Sequence, residues 1–366
     1  MSTNLSCGIV GLPNVGKSTL FNALTKLMIA ANNFPFCTID PNIGIVDVPD
    51  PRLQKLSDVT HSQKTVPATI SFVDIAGLVK GASQGEGLGN KFLSNIRETD
   101  LIVHLVRCFE DDNVVHVLGK IDPISDIEVI NLELILSDLQ TAEKVFTKLE
   151  KGAKGKKESP VALESLKKAM DHLNQNLPLR TLELNEEEEE SLKSYQFITK
   201  KPVIYCTNVS EVDLPNMQNQ YTKMVEEFAA KEGSMVLPIC AKLEEELSSL
   251  SEAEAKEYLT SLGLEQSGLA RLIQASFSAL GLITFYTTGE KETRAWTIVR
   301  GSTAPVAAGK IHTDLQTGFI RAEVISYDDL IREGSRVAAK EAGKARMEGK
   351  NYIVQDDDVI LFYHNK

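Results

Sequence analysis

The sequence has only five cysteines, Cys7, Cys37, Cys108, Cys206 and Cys240, and none is part of a Cys-x-x-Cys pair. An odd number at wide spacing argues against a disulfide framework or a cysteine zinc site, and fits a reducing, cytoplasmic compartment. No apolar run approaches the roughly 20 residues that a membrane helix needs. Met1–Cys7 offers neither a basic stretch nor a long apolar one, so no secretory signal is read there. Positive charge is in deficit: 39 Lys and Arg against 51 Asp and Glu leave −12. That argues against a wholly basic nucleic-acid binder, though a local basic patch remains open. No internal repeat is visible. At 42% hydrophobic and 25% charged, the chain is too apolar for disorder. Its length, at roughly 150 residues per domain, makes two or three domains.

Along the chain, short apolar runs first alternate with helical patterns. Leu5–Val10, Ile43–Val48, Thr69–Val73 and Leu101–Val106 read as strands, and Lys17–Leu27 as a helix. Such alternation implies a parallel α/β sheet. From Ile127 a helical stripe runs through Ile130, Leu134, Leu139, Val145, Phe146 and Leu149. A breaker-rich turn at 152–160 separates it from a second stripe, Leu163, Leu166, Met170, Leu173 and Leu177, and the acidic run Glu186–Glu190 opens a third helix. These read as a helical hairpin inserted in the α/β domain, whose sheet resumes at Pro202–Cys206 and Val236–Ile239. After about Leu280, short strands and turns suggest a small mixed or mostly β domain.

Gly11-Leu12-Pro13-Asn14-Val15-Gly16-Lys17-Ser18 matches Gly-x4-Gly-Lys-Ser/Thr between a predicted strand and a predicted helix. In that context amide N–H groups of the loop, with Asn14, Val15, Gly16 and Thr19 among its residues, wrap a phosphate. Lys17 then reaches the β/γ-phosphates and Ser18 ligates Mg²⁺. Asp74-Ile75-Ala76-Gly77 stands at a strand end 57 residues after Lys17. Asp74 would hold Mg²⁺ through water, and the Gly77 amide would sense a γ-phosphate. Between them, 33–41 is a candidate first switch with Thr38 as a second Mg²⁺ hydroxyl. The glycine-rich stretch 76–90 is a candidate second switch rather than a dinucleotide fingerprint, because Gly85, Gly87 and Gly89 do not follow a strand directly. Asn14 could also hold a monovalent cation, K⁺, or simply shape the turn.

Ras-type GTPases read guanine with Asn-Lys-x-Asp. Here the strand Pro202–Cys206 runs into Asn208-Val209-Ser210-Glu211, without the Lys and with Glu for Asp. That weakens guanine selection and leaves Asn208 for adenine N6 or N7. Cys240-Ala241-Lys242 fits the remaining loop near the base. The position after Asp74–Gly77 carries Leu78, which cannot orient a water. His116, one of six histidines, is the candidate catalytic group, with a structural role as the alternative.

With these motifs, Asn33–Ile39, Asp74–Ser83, Asn95–Asp100 and the C-terminal Ala295–Ile298, Ile311–Asp314, Gly318–Glu323 and Gly349–Asp356, the whole chain resembles the YchF family of Obg-like ATPases. The resemblance implies an OBG-type P-loop domain at 1–126 and 200–280, a coiled-coil insertion at 127–199, and an α+β, ubiquitin-like TGS domain at 281–366. It implies Mg²⁺-dependent hydrolysis of ATP, with His116 at the position of the family's proposed catalytic histidine. It also implies association with the ribosome and no role for membrane or DNA. The span Lys144–Lys168 holds eight lysines against three glutamates, a plausible contact for rRNA phosphates or a solvated helix tip. From Lys291 onward 12 basic residues face 11 acidic ones, so charge does not mark that end as RNA-binding. An Obg-type GTPase and a barely hydrolysing, nucleotide-gated scaffold are the alternatives.

Overall fold

A computed structural model describes residues 5–27, 43–75, 88–114, 116, 119–153 and 160–365. The expectations for Thr38, Gly77, Leu78, the first switch stretch, 76–87 of the second and 154–159 of the turn fall outside these residues, whereas 88–90 open the helix Leu88–Arg97. The chain divides into two compact units, residues 5–44 with 71–272, and residues 1–4, 45–70 and 273–366.

In the first unit, parallel strands stand side by side in the order Thr69–Asp74, Ser6–Val10, Leu101–Arg107, Val203–Asn208 and Met235–Ile239. The central strands are buried along their whole length, as Leu101–Arg107 and Val203–Asn208 show. This accounts for their continuous apolar sequence, because helices cover both faces of such a sheet. The first strand has one neighbour from later in the chain on each side. Connections therefore leave it in opposite directions, which opens a crevice at the carboxyl ends of the strands. Val10, Asp74, Arg107, Asn208 and Ile239 all end at that edge.

The helical segment of this unit begins at Pro123, earlier than the apolar stripe suggests, and runs to Ala153. Proline at a first helical position costs nothing, since its missing N–H would be unpaired there anyway. Pro160–Leu173 packs on it through Ile135, Ala142, Leu166, Ala169 and Leu173, joined by Leu179, Leu192 and Phe197. Leu177, expected in the second stripe, is exposed instead, because that helix stops at Leu173. Asn185 and Glu188 form a reciprocal cap on the helix Glu186–Lys193. Its run of glutamates thus lies at the positive end of the helix dipole. The buried Asp138 carboxylate accepts the Ile198 and Thr199 amides at 2.9 and 2.7 Å and ties this segment to the chain entering Val203–Asn208.

The second unit has a six-stranded mixed sheet, ordered Arg346–Glu348, Phe319–Ser326, Asp358–His364, Leu282–Thr288, Thr293–Val299 and Thr65–Val66. Ile283, Phe285, Ile298, Val324 and Ile360 pack beneath the helix Ala304–Ile311 with its buried alanines. Residues 48–68 group with this unit. They bring a helix, Pro51–Thr60, that the apolar pattern does not announce. Their links are polar: the Gln63 amide donates to the Glu290 carbonyl, the Thr293 amide to the Lys64 carbonyl, both at 2.9 Å, and Ser62 Oγ pairs with Thr293 Oγ1 at 2.6 Å.

Candidate functional site

A cleft of about 780 Å³ opens at the carboxyl edge of the parallel sheet. One wall is the loop from Val10 to the helix Lys17–Lys26, with Leu12, Pro13, Asn14, Gly16, Lys17, Ser18 and Thr19 lining it. Gly16 stands at φ 97°, and a Cβ there would collide with the Asn208 amide. Only glycine meets both demands. Asn14 is also left-handed, at φ 65°. Val15, expected among the nucleotide contacts, turns its side chain into the core at 1% exposure.

Lys17 Nζ lies 2.5 Å from Asp74 Oδ1, with both side chains largely withdrawn from solvent. The two residues assigned from sequence to the phosphate and to Mg²⁺ therefore meet, although they come from opposite ends of a long stretch of chain. Ser18 is exposed on the same wall.

The opposite wall holds Asn208, Val209, Ser210, Glu211, Ala241 and Lys242. Asn208 is buried, and its amide is already engaged. Nδ2 donates to the Val15 carbonyl at 2.8 Å and Oδ1 accepts the Ala241 amide at 3.0 Å. The expectation that Asn208 is left free for the base is thus corrected: it clamps the phosphate loop to the loop near the base, with one N–H hydrogen to spare. Val209 is buried. Glu211 forms an ion pair with Lys242, and the carboxylate holds that ammonium above the ordinary lysine range.

A third set of lining residues was not singled out in the sequence: Phe109, Glu110, Asp111 and Val114, which follow the central strand. The signal that could have found them is their place after an apolar strand that ends in Arg107. Burying a guanidinium there costs too much to serve packing alone.

His116 does not line the cleft. Its Nε2 sits 3.0 Å from Asp126 Oδ2, with the two side chains 8% and 2% exposed. Burial pushes the Asp126 carboxyl up against the opposing pull of His116. The arrangement orients an imidazole but does not present it to a phosphate in the described structure. Cys7, Cys108, Cys206 and Cys240 are buried thiols.

The fold and cleft define a P-loop nucleotide-binding protein. A family model described as 50S ribosome-binding GTPase matches residues 6–144, and the YchF GTPase C-terminal model, described as a protein of unknown function, matches 282–365. The chain is 55% identical over 360 residues to the ribosome-binding ATPase YchF of Escherichia coli O157:H7, covering 98% of this chain and 99% of that one. It is 52% identical over 363 residues to the protein of that name from Bacillus subtilis strain 168, covering 99% of each. The solved structure of the Schizosaccharomyces pombe YchF GTPase is 38% identical and covers 98% of both chains with a TM-score of 0.88. The chain belongs to the YchF family.

Proposed function

We propose that this protein is an Mg²⁺-dependent ATPase that binds the ribosome and reports its nucleotide state there, as a regulator of translation or stress response. The observation that carries the reading is the cleft itself, with Lys17 paired to Asp74 at the phosphate wall and the departure from Asn-Lys-x-Asp at the other. The names of the bacterial relatives, ribosome-binding ATPase, agree with it.

The residues present fit Mg²⁺. Ser18 and Asp74 supply hard oxygen ligands, and no group of three or more His, Cys, Asp or Glu side chains able to hold a metal occurs among the described residues. That is the donor set of an ion held jointly by protein, water and nucleotide phosphates. Thr38 would add a hydroxyl. When bound, the ion neutralises charge on the transferred phosphoryl group. Lys17 leaves Asp74 to meet the β/γ-phosphates, which frees the carboxylate for the ion's water shell. Gly77 reports the γ-phosphate to the second switch. The left-handed backbone at Asn14 accounts for an asparagine there without K⁺.

At the base end, the Glu211 carboxylate is paired with Lys242, and the remaining Asn208 N–H can donate to adenine N7. In this reading 127–199 is the coiled-coil insertion, 281–366 the TGS domain, and the lysines of the hairpin meet rRNA, with ribosomal proteins as further contacts. A protein that acts on ribosomes would work in the cytoplasm. The family model's description as a GTPase supports a second reading, that guanine is the preferred base. Competition against a fluorescent ATP analogue decides between them. ATP should displace the analogue at lower concentration than GTP, and the opposite order overturns the ATPase assignment.

A further inference from the structure

Arg107 closes the central strand Leu101–Arg107 and is only 2% exposed. Its guanidinium is spent on main-chain carbonyls of one loop. Nε donates to Phe109 O at 3.1 Å, Nη1 to Val114 O at 2.8 Å and Nη2 to Asp111 O at 3.2 Å. The same group lies 4.6 Å from the centroid of the Phe109 ring. A guanidinium carries its donors at fixed spacing in one plane, so a single side chain can gather three carbonyls that point at a common centre. The loop so gathered gives the cleft Phe109, Glu110, Asp111 and Val114. It leaves the sheet beside the base-end wall: Arg107 pairs in register with Asn208, and the Cys108 amide donates to the Asn208 carbonyl at 2.8 Å. From the outer side, Tyr221 OH donates to Glu110 Oε1 at 2.6 Å, and Asn219 Nδ2 to the Cys108 carbonyl at 2.8 Å.

We infer that Arg107 is a positioning residue for the nucleotide: without touching it, the guanidinium pre-forms the 109–114 wall on which the nucleoside end of the ligand rests. The inference rests on the nucleotide-binding reading of the cleft. Pre-forming a wall acts on binding, because loop and side chains are ordered before the ligand arrives and not at its expense. Lys17, Ser18 and Asp74, which serve the phosphates, stand on other elements. Arg107 should therefore act on affinity more than on turnover at saturation.

Two variants test this. Arg107→Lys keeps the charge but loses the fixed, spread donors of the guanidinium, and Arg107→Met keeps much of the buried volume. Nucleotide affinity is read by titration with fluorescent ATP analogue and Mg²⁺, turnover at saturating ATP by phosphate release, and folding by thermal unfolding without nucleotide. In folded variants Kd should rise by about tenfold, the scale expected when a few side chains must be ordered on binding, with kcat changed by less than Kd. An unchanged Kd in either folded variant overturns the inference, as does a fall in kcat at unchanged Kd. If neither variant folds, Arg107 serves the fold alone and the inference is likewise overturned. Lys17→Ala runs alongside: should it bind as tightly as the parent, the assignment of the cleft has failed and not the role of Arg107.

Discussion

At the residue scale, the ion pair between His116 and Asp126 poses the sharpest question. Leu78, after Gly77, has no group that can hold an attacking water, so hydrolysis must draw on another residue, a partner or the ligand itself. His116 is held by a carboxylate, as catalytic imidazoles often are, but it is not among the residues that line the cleft. If it acts in turnover, it must come within reach of the γ-phosphate. We expect His116→Ala to leave ATP affinity within a few-fold and lower kcat by about 10- to 100-fold, the low end of general acid–base help. Asp126→Asn, which keeps the shape but removes the orienting charge, should lower kcat in the same sense. Steady-state ATPase assays with and without ribosomes check both, and an unchanged kcat under both conditions makes the pair a structural brace. How legible such residues are depends on how local their signal is. The phosphate loop is contiguous and is read directly. Asn208 announces itself by a short motif, but its clamping role spans 193 positions and depends on where Val15 comes to rest. Arg107 has no motif, and only its burial reveals it.

At the element scale, periodic apolar stripes carried the reading of the strands and long helices, because each buries one continuous face. The pattern failed where burial is slight or polar links dominate. Pro51–Thr60 buries only Leu53, Leu56 and Ser57, and Thr65–Val66 is two residues long. Neither can raise a period above the background, so neither is legible in the sequence. A related polar device lies on the strand Phe319–Ser326 of that unit. Glu323 is 3% exposed and bonds Arg336 and Lys340, each at 3.1 Å. Burial alone would raise its pKa, but these two cations pull it below the ordinary glutamate range. A group with a depressed folded pKa contributes stability above its unfolded value of about 4.3, and that contribution is lost as pH falls through the lower folded value. We expect Glu323→Gln to destabilise the protein at pH 7 by about 1–3 kcal/mol, the cost of weakening a buried charged hydrogen bond. Thermal unfolding at a series of pH values checks it. The gap between parent and variant should close between about pH 4 and the folded value, and a gap that persists unchanged into strong acid removes the ion-pair explanation.

At the scale of the whole molecule, an acidic protein of net charge −12 must approach rRNA, itself a polyanion, through a locally basic surface if it approaches at all. The helix Pro123–Ala153 offers one. Lys144, Lys148 and Lys151 are all exposed on it, at spacings of four and three that place them on one face. Lys167 and Lys168 follow on the next helix, where Lys168 is paired to Glu188 and Lys167 lies over the Phe146 ring at 5.7 Å. Phosphate contacts release counterions, so affinity falls linearly in log–log terms with salt, by about 0.7–0.9 in slope for each phosphate neutralised. Replacing Lys144, Lys148 and Lys151 together by alanine should therefore weaken ribosome binding and flatten the salt dependence by about two in slope. Nucleotide affinity should stay within twofold, because these lysines lie outside the cleft lining. Co-sedimentation with ribosomes across a salt series measures both quantities. A weaker variant with an unchanged slope would mean that the lysines act through the shape of the hairpin and not through phosphates. An unchanged affinity at every salt concentration would remove this face from the contact and direct the search to the second unit, where acidic and basic residues are nearly balanced and shape would have to do what charge does not.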